Sequence, residues 1–260
     1  MKVYEITYSL IFFMPSIASS QIFGDTSFIN NTEKWSVNQN KGLFGLSKPE
    51  FGNYKTVTIG RSNSPVIKKK TKDSTETDWG ISSAGIDLDH SKYLTVEKNK
   101  EYQLKLATIT DTTEAVFSIS STAKEKKQTL LGKMLSKDDE GKDMTLSYDR
   151  DVTGIIKTGI NPQQWEFFIK HFSSSSRLSA YTFSSSASLS QAYLKNDQDS
   201  LYFLYSDSWD LILVNKSGHY YGALNYKQKP LSIRIRNDIE NSYQKVIATL
   251  FAVIIGIKDF

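Results

Sequence analysis

Apolar and polar residues alternate along most of this chain in short runs broken by polar turn residues, the pattern of half-buried strands in an antiparallel sheet. Tyr54 to Ile59 sets Tyr54, Thr56 and Thr58 against Lys55, Val57 and Ile59. Tyr102 to Ile109 places Tyr102, Leu104 and Leu106 on one face, and a turn at Asp111-Thr112-Thr113 leads into Ala115 to Ile119, so these two runs read as a hairpin. Thr129 to Leu135, Met144 to Tyr148 and Val152 to Lys157 predict further strands, the last two joined through Asp149-Arg150-Asp151. Trp165, Phe167 and Ile169 alternate as a strand would, although Asn161-Pro162 before them also suits a helix start. The clearest stretch is Leu201 to Tyr205, Trp209 to Val214 and His219 to Tyr226, with Asn215-Lys216-Ser217-Gly218 joining the last two and Gly218 able to supply a positive φ. Ile233 and Ile235 end the series.

Two stretches break the alternation. Arg61 to Asp78 is polar and holds Lys68, Lys69, Lys70 and Lys72, answered by Asp73, Glu76 and Asp78, which predicts a solvated loop. Ten of the eighteen residues from Ser173 to Ser190 are serine, which predicts a long loop or a polar edge strand.

The end of the chain follows a different rule. After Asp238, Glu240 and Asn241, which suit a helix start, the run Val246 to Ile257 is apolar on every side except at Thr249. A helix without a polar face must be enclosed or sit in lipid. Twelve helical residues rise only about 18 Å against roughly 30 Å of hydrocarbon, so enclosure is the expectation. A buried strand competes, because seven of the twelve residues are β-branched.

Many short strands followed by such a helix predict a mainly β fold, an antiparallel β-barrel (or sandwich) closed around a buried C-terminal α-helix at about 239–257, with Leu250, Phe251 and Ile254 in the core. Trp209 to Val214, Tyr220-Tyr221-Gly222-Ala223-Leu224, the strand around Ile233 and Ile235, Val246 to Ile257 and the closing Asp259-Phe260 carry a resemblance. Over these last sixty residues the chain resembles the tubby and phospholipid-scramblase group. The resemblance implies an antiparallel barrel threaded by a hydrophobic C-terminal helix. Neither the basic phosphoinositide pocket nor the scramblase calcium segment maps onto defined positions here, and lipid handling does not follow from a shared fold.

Composition narrows the compartment. Lys2, the apolar segment Ile6 to Ile17 and Ala18-Ser19-Ser20 before Gln21 form a secretory leader pattern, with cleavage expected between Ser20 and Gln21 and residues 21–260 left as one β-rich domain. The chain has no Cys, which removes disulfides, zinc ribbons, thiol nucleophiles and an N-terminal lipid anchor, and fits a bacterial envelope or secreted protein that relies on its core. The net charge of +4 is too small for a dedicated nucleic-acid binder, so no nucleic-acid partner is expected. No transmembrane helix is expected in the mature chain.

The inventory of reactive groups is thin. His90, His171 and His219 lack metal-ligand spacing, and Asp87-Leu88-Asp89-His90 reads as a solvated turn. Asp138-Asp139-Glu140-Gly141 and Asn196-Asp197-Gln198-Asp199 read as hairpin turns, and the Lys124, Lys126 and Lys127 cluster as a solvated face. No nucleophile elbow, P-loop or dinucleotide fingerprint is present. The expectation is an exported, non-enzymatic binding or structural protein of the bacterial cell envelope, with no catalytic, cofactor or metal residues and an unidentified ligand or envelope partner. Two alternatives stand beside it. One is a hydrolase using paired carboxylates such as Asp207 and Asp210; the other is a peripheral lipid-binding protein touching anionic membrane through Lys68, Lys69, Lys70 and Lys72.

Overall fold

The structure, a computed structural model, describes residues 26–41, 46–63, 65–82, 85–130, 144–159, 163–174, 192–205, 210–225 and 229–257; within these, the side chains of 26, 41, 77–90, 144, 171–174, 205 and 210 are not described. The leader at 1–20, Asp138 to Gly141, Asp207, Trp209 and Asp259-Phe260 lie outside the described residues, as does most of the serine-rich stretch.

Fourteen strands form one antiparallel sheet, flanked by a short helix α1 (Thr26–Asn30) and a longer helix α2 (Asn241–Gly256). The strands are β1 (Thr32–Ser36), β2 (Asn38–Lys41), β3 (Ser47–Phe51), β4 (Tyr54–Arg61), β5 (Ile67–Ser82), β6 (Gly85–Ala107), β7 (Thr112–Gln128), β8 (Met144–Thr158), β9 (Gln164–Ser174), β10 (Ala192–Lys195), β11 (Ser200–Tyr205), β12 (Asp210–Asn215), β13 (Tyr220–Asn225) and β14 (Ser232–Arg236). Their lateral order is β1-β14-β13-β12-β11-β10-β9-β8-β7-β6-β4-β3-β2, and β5 pairs with β6 beside β4. The two ends of this order, β1 and β2, are consecutive in the chain. Val37 turns the corner between them, its N–H donating to the Leu231 carbonyl at 2.8 Å, so the sheet curls into a nearly closed barrel. Closure removes the edges of the barrel wall itself, while β5, off this path, pairs with β6 alone among the described residues.

The lumen is filled by α2. Every residue from Lys245 to Gly256 is buried, and Ile247, Leu250 and Phe251 are wholly inaccessible. The helix touches β3, β4, β6, β7, β8, β13 and β14, which lie on all sides of it. Its sixteen residues rise about 24 Å, close to the span of a six- or seven-residue strand. The segment is therefore a helix, and its β-branched residues are tolerated because packing from every side outweighs their small intrinsic cost. Thr249, the one hydroxyl in the run, donates to the Lys245 carbonyl at 2.8 Å, and Ser47 Oγ ties β3 to the Ile255 carbonyl at 2.9 Å. At Gly222 a Cβ would stand 2.9 Å from the Phe251 ring, so the helix seats directly on the backbone of β13.

One part of the wall is buried on both sides. In β12, Leu211 and Leu213 enter the lumen, whereas Ile212 and Val214 face outward and are covered by Phe28 of α1 together with Ala223. Phe28 meets Tyr220 edge-on at 5.8 Å. The unbroken apolar run of β12 follows from this double cover.

Both expected hairpins form: the first turns at Thr108 to Asp111 rather than at Asp111 to Thr113, because Thr112 and Thr113 already pair within β7, and the second turns at Asn215 to Gly218, where Gly218 has φ +80° and Asn215 Oδ1 accepts the backbone N–H groups of Ser217 and His219. Asn196 builds the β10–β11 turn in the same way, and Trp165, Phe167 and Ile169 lie on a strand. Four expectations are corrected. Asp149-Arg150-Asp151 is not a turn but the middle of β8, and Asp87 to His90 lies in β6. The lysine-rich stretch is not a loop but the strand β5. Thr129 and Leu130 fall after the end of β7, with Leu131 to Leu135 outside the described residues.

Candidate functional site

Strands β5 to β9 are far longer than the barrel needs. The 23 residues of β6 span about 75 Å at 3.4 Å per residue, several times the height of the wall. Only the last part of β6, up to Tyr102, faces α2 through Tyr102, Leu104 and Leu106. The remainder continues past the barrel mouth with β5, β7, β8 and β9 as a five-stranded blade. The blade leaves the barrel at the end where the C-terminus of α2 lies, because Gly256 abuts Ile59 and Leu104, whereas Lys245 at the other end meets Asp111 of the β6–β7 turn.

Register decides what each blade face carries. Cross-strand partners share a face, and successive residues of a strand alternate faces. The row Tyr102-Phe117-Gly154-Phe167 enters the lumen; hence even-numbered residues of β6 continue the lumenal face up the blade, with their partners on β5, β7 and β8. This inner face holds Lys68, Lys70 and Lys72 of β5, Lys92, Lys98 and Lys100 of β6, Lys127 of β7 and Arg150 of β8. Glu125 is its one carboxylate among the described side chains, 3.2 Å from Lys127. Leu94 and Val96 sit among these cations and are buried, while Lys68, Lys70, Lys72, Lys98 and Lys100 are exposed.

The outer face is built oppositely. It holds Lys69, Lys124, Lys126 and Lys170 beside Asp73, Glu76, Glu97, Glu101, Asp149 and Asp151. Lys69 pairs directly across from Glu97, and Thr95 donates to Asp73 at 2.7 Å. Asp151 has its carboxyl pushed up by burial, an effect that Asp149 reinforces and Lys170 opposes. One carboxylate oxygen of Asp151 and the amide oxygen of Asn99 are buried with no hydrogen-bond partner among the described residues. Lower on this face, a shallow groove of about 390 Å³ runs over Val116, Ile155 and Tyr193 between Glu101 and Glu166. Glu166 is already matched by Lys195 at 3.5 Å, and Tyr193 stacks on Phe168.

At the far end of the barrel, Lys245 in the first turns of α2 donates to Asp111 at 3.0 Å, with both side chains nearly sealed from solvent. The Lys245 ammonium hydrogen-bonded to it holds the Asp111 carboxyl below its usual range. Beside them Trp165 meets Tyr243 edge-on at 4.7 Å and Tyr221 lies 5.5 Å from Tyr243, whose hydroxyl is driven strongly upward by burial. These contacts close the mouth around the helix.

The residues singled out from sequence are distributed unevenly. Leu250, Phe251 and Ile254 lie in the lumen core. Lys68, Lys70 and Lys72 share the inner face, whereas Lys69 points the other way. Asp210 opens β12, and its proposed partner Asp207 lies outside the described residues. His219 is exposed beside the Asn215 turn; His90 and His171 fall in β6 and β9. Sequence reasoning missed Lys92, Lys98, Lys100 and Arg150. The signal was present as a period-two charge pattern in β6, where the even positions carry Lys92, Lys98 and Lys100 and the odd positions carry Glu97 and Glu101.

Among the described residues no helix is long and apolar enough to cross a membrane. Comparison with family models, curated proteins and solved structures finds no match to this chain.

Proposed function

We propose that this chain is an exported, non-enzymatic binding or structural protein of the bacterial cell envelope, with its working surface on the blade and its barrel serving as the mount. The observation that carries this reading is the filled lumen. A barrel of this size commonly holds a small ligand inside, but here Ile247, Leu250 and Phe251 of the protein's own helix occupy that space. Recognition therefore falls to outward surfaces, among them a blade whose two faces carry opposite charge balances among the described side chains. The leader-like residues 1–20 and the absence of cysteine support export to a bacterial envelope.

The test combines location with contact. In a bacterial host the envelope or medium fraction is expected to hold a chain that begins at Gln21, and photo-crosslinkers placed along β5 and β6 are expected to capture an envelope component that crosslinkers on β12 to β14 do not. A cytosolic product that keeps Met1 overturns the export half. A specific turnover abolished by replacing one carboxylate overturns the non-enzymatic half.

A further inference from the structure

We infer that the inner face of the blade is a binding site for a linear anionic polysaccharide; the inference names a ligand class for the surface proposed above and rests on that reading. Among the described side chains, eight cations and one carboxylate share this face, against four cations and six carboxylates on the other side of the same strands. The arrangement works against the fold. Lys68 stands directly across from Lys98, and like charges in such a cross-strand pair repel; Lys92 stands across from Lys127, whose charge Glu125 offsets at 3.2 Å. The outer face shows the ordinary solution, with Lys69 opposite Glu97. A face that keeps a like-charged pair such as Lys68 and Lys98 amid so few carboxylates is one whose charges are neutralised by something else.

Edge protection accounts for part of the pattern only. Strand β5 pairs with β6 alone among the described residues, and lysines together with the bulge between Lys72 and Ser74 blunt an exposed edge. Lys92, Lys98, Lys100 and Arg150 belong to interior strands, where no edge needs guarding.

The shape and chemistry of the face select the ligand. Alternate residues on β5 step by about 6.8 Å and neighbouring strands lie about 4.8 Å apart, which spreads the lysines as a grid of point charges along the blade. Lysine ammonium groups attract charge without the bidentate geometry that guanidinium groups give to phosphate recognition. The inner face offers only Tyr148 as a described aromatic beyond the mouth, too few for the base-stacking platforms of single-stranded nucleic acid. The blade rises from one side of the barrel, so its inner face and the barrel mouth form a corner. A flat bilayer cannot press into a corner, and among the described side chains none of the exposed large apolar residues lies on the inner face to insert into lipid. A flexible chain of repeated anionic groups can follow it.

Dextran sulfate and heparin, titrated into the fluorescently labelled full chain at low and near-physiological salt, test the assignment. Lys98→Gln with Lys100→Gln is expected to weaken binding at least tenfold and to leave the thermal midpoint unchanged or raised, because repulsion with Lys68 is relieved. Lys68→Gln, Lys70→Gln and Lys72→Gln together are expected to do at least as much. The outer-face triple Lys69→Gln, Lys124→Gln and Lys126→Gln removes the same charge and is expected to change affinity by less than twofold. Equal weakening by the two triples overturns the assignment, since net charge alone would then explain binding. Phosphatidylglycerol vesicles that bind through the inner lysines, with no binding of either soluble polyanion, overturn it in favour of a membrane. In both cases blade-specific crosslinks to an envelope component would leave the broader functional reading standing.

Discussion

Replacing Leu250 by Asp tests whether α2 is enclosed on every side. Leu250 is fully buried, and removing its side chain costs about 2 to 5 kcal/mol in lost transfer energy and cavity. Among the described residues the lumen core around Leu250 is apolar and the buried Lys245 is already paired with Asp111, so the new carboxyl folds in the neutral form. Holding an acid of ordinary pKa near 3.9 protonated at pH 7 costs about 4 kcal/mol, at roughly 1.36 kcal/mol per unit. The total, about 6 to 9 kcal/mol, rivals the whole stability of a typical domain. The sign of the pH dependence follows. The folded variant binds a proton that the unfolded chain releases above its own pKa, so stability falls as pH rises, and moving from pH 7 to pH 5 is expected to restore about 2.7 kcal/mol. Ala252 lies about 200° around the helix from Leu250 and is equally buried. Ala252→Asp adds mild overpacking to the same protonation cost, so a loss of about 5 kcal/mol or more is expected. Urea unfolding followed by tryptophan fluorescence at both pH values measures each variant. An Ala252→Asp protein with a wild-type midpoint at pH 7 would refute enclosure, because it would give the helix a solvated face.

Two further perturbations read other parts of the fold. The Asp111 carboxyl is depressed by Lys245, so the stability it contributes is present above its unfolded pKa and is lost as pH falls through the lower folded value. Urea midpoints measured between pH 5 and pH 2 should drop more steeply for the wild type than for Asp111→Asn, and parallel curves would mean that the pair is not coupled. Gly154 lies between Phe117 and Phe167, where an added Cβ would fall 2.5 Å from Phe117 Cβ and 2.6 Å from the Phe167 ring. Gly154→Ala is expected to lower stability by about 1 to 3 kcal/mol through overpacking and to shift the thermal midpoint accordingly, whereas Gly60→Ala, with open space around its Cβ, should fall within about 0.5 kcal/mol of the wild type.

The barrel and its plug were legible in the sequence because both rest on local rules. The run from Val246 to Ile257 leaves no polar face, and the alternation of Leu104 and Leu106, of Trp165 and Phe167, and of Ile233 and Ile235 marks which side of each strand meets the helix. Asn215 and Gly218 specify their hairpin through side-chain acceptance and a positive φ, interactions spanning only four or five residues. The blade was not legible in this way. Lys68 to Lys72 and Asp149 to Asp151 are polar on both faces, so they lack the apolar period that separates a strand from a loop, and each alone suits a turn. They become strands because their neighbours offer backbone partners, β6 for β5 and both β7 and β9 for β8. The candidate site depended on the same step. Sequence placed four lysines in one cluster; register divided them, turning Lys69 away and adding Lys92, Lys98, Lys100 and Arg150, which stand twenty or more positions further along the chain. Residue spacing along a strand assigns relative faces, but only hydrogen-bonded register between strands decides whose charges share one, and that pairing exists only in the tertiary structure.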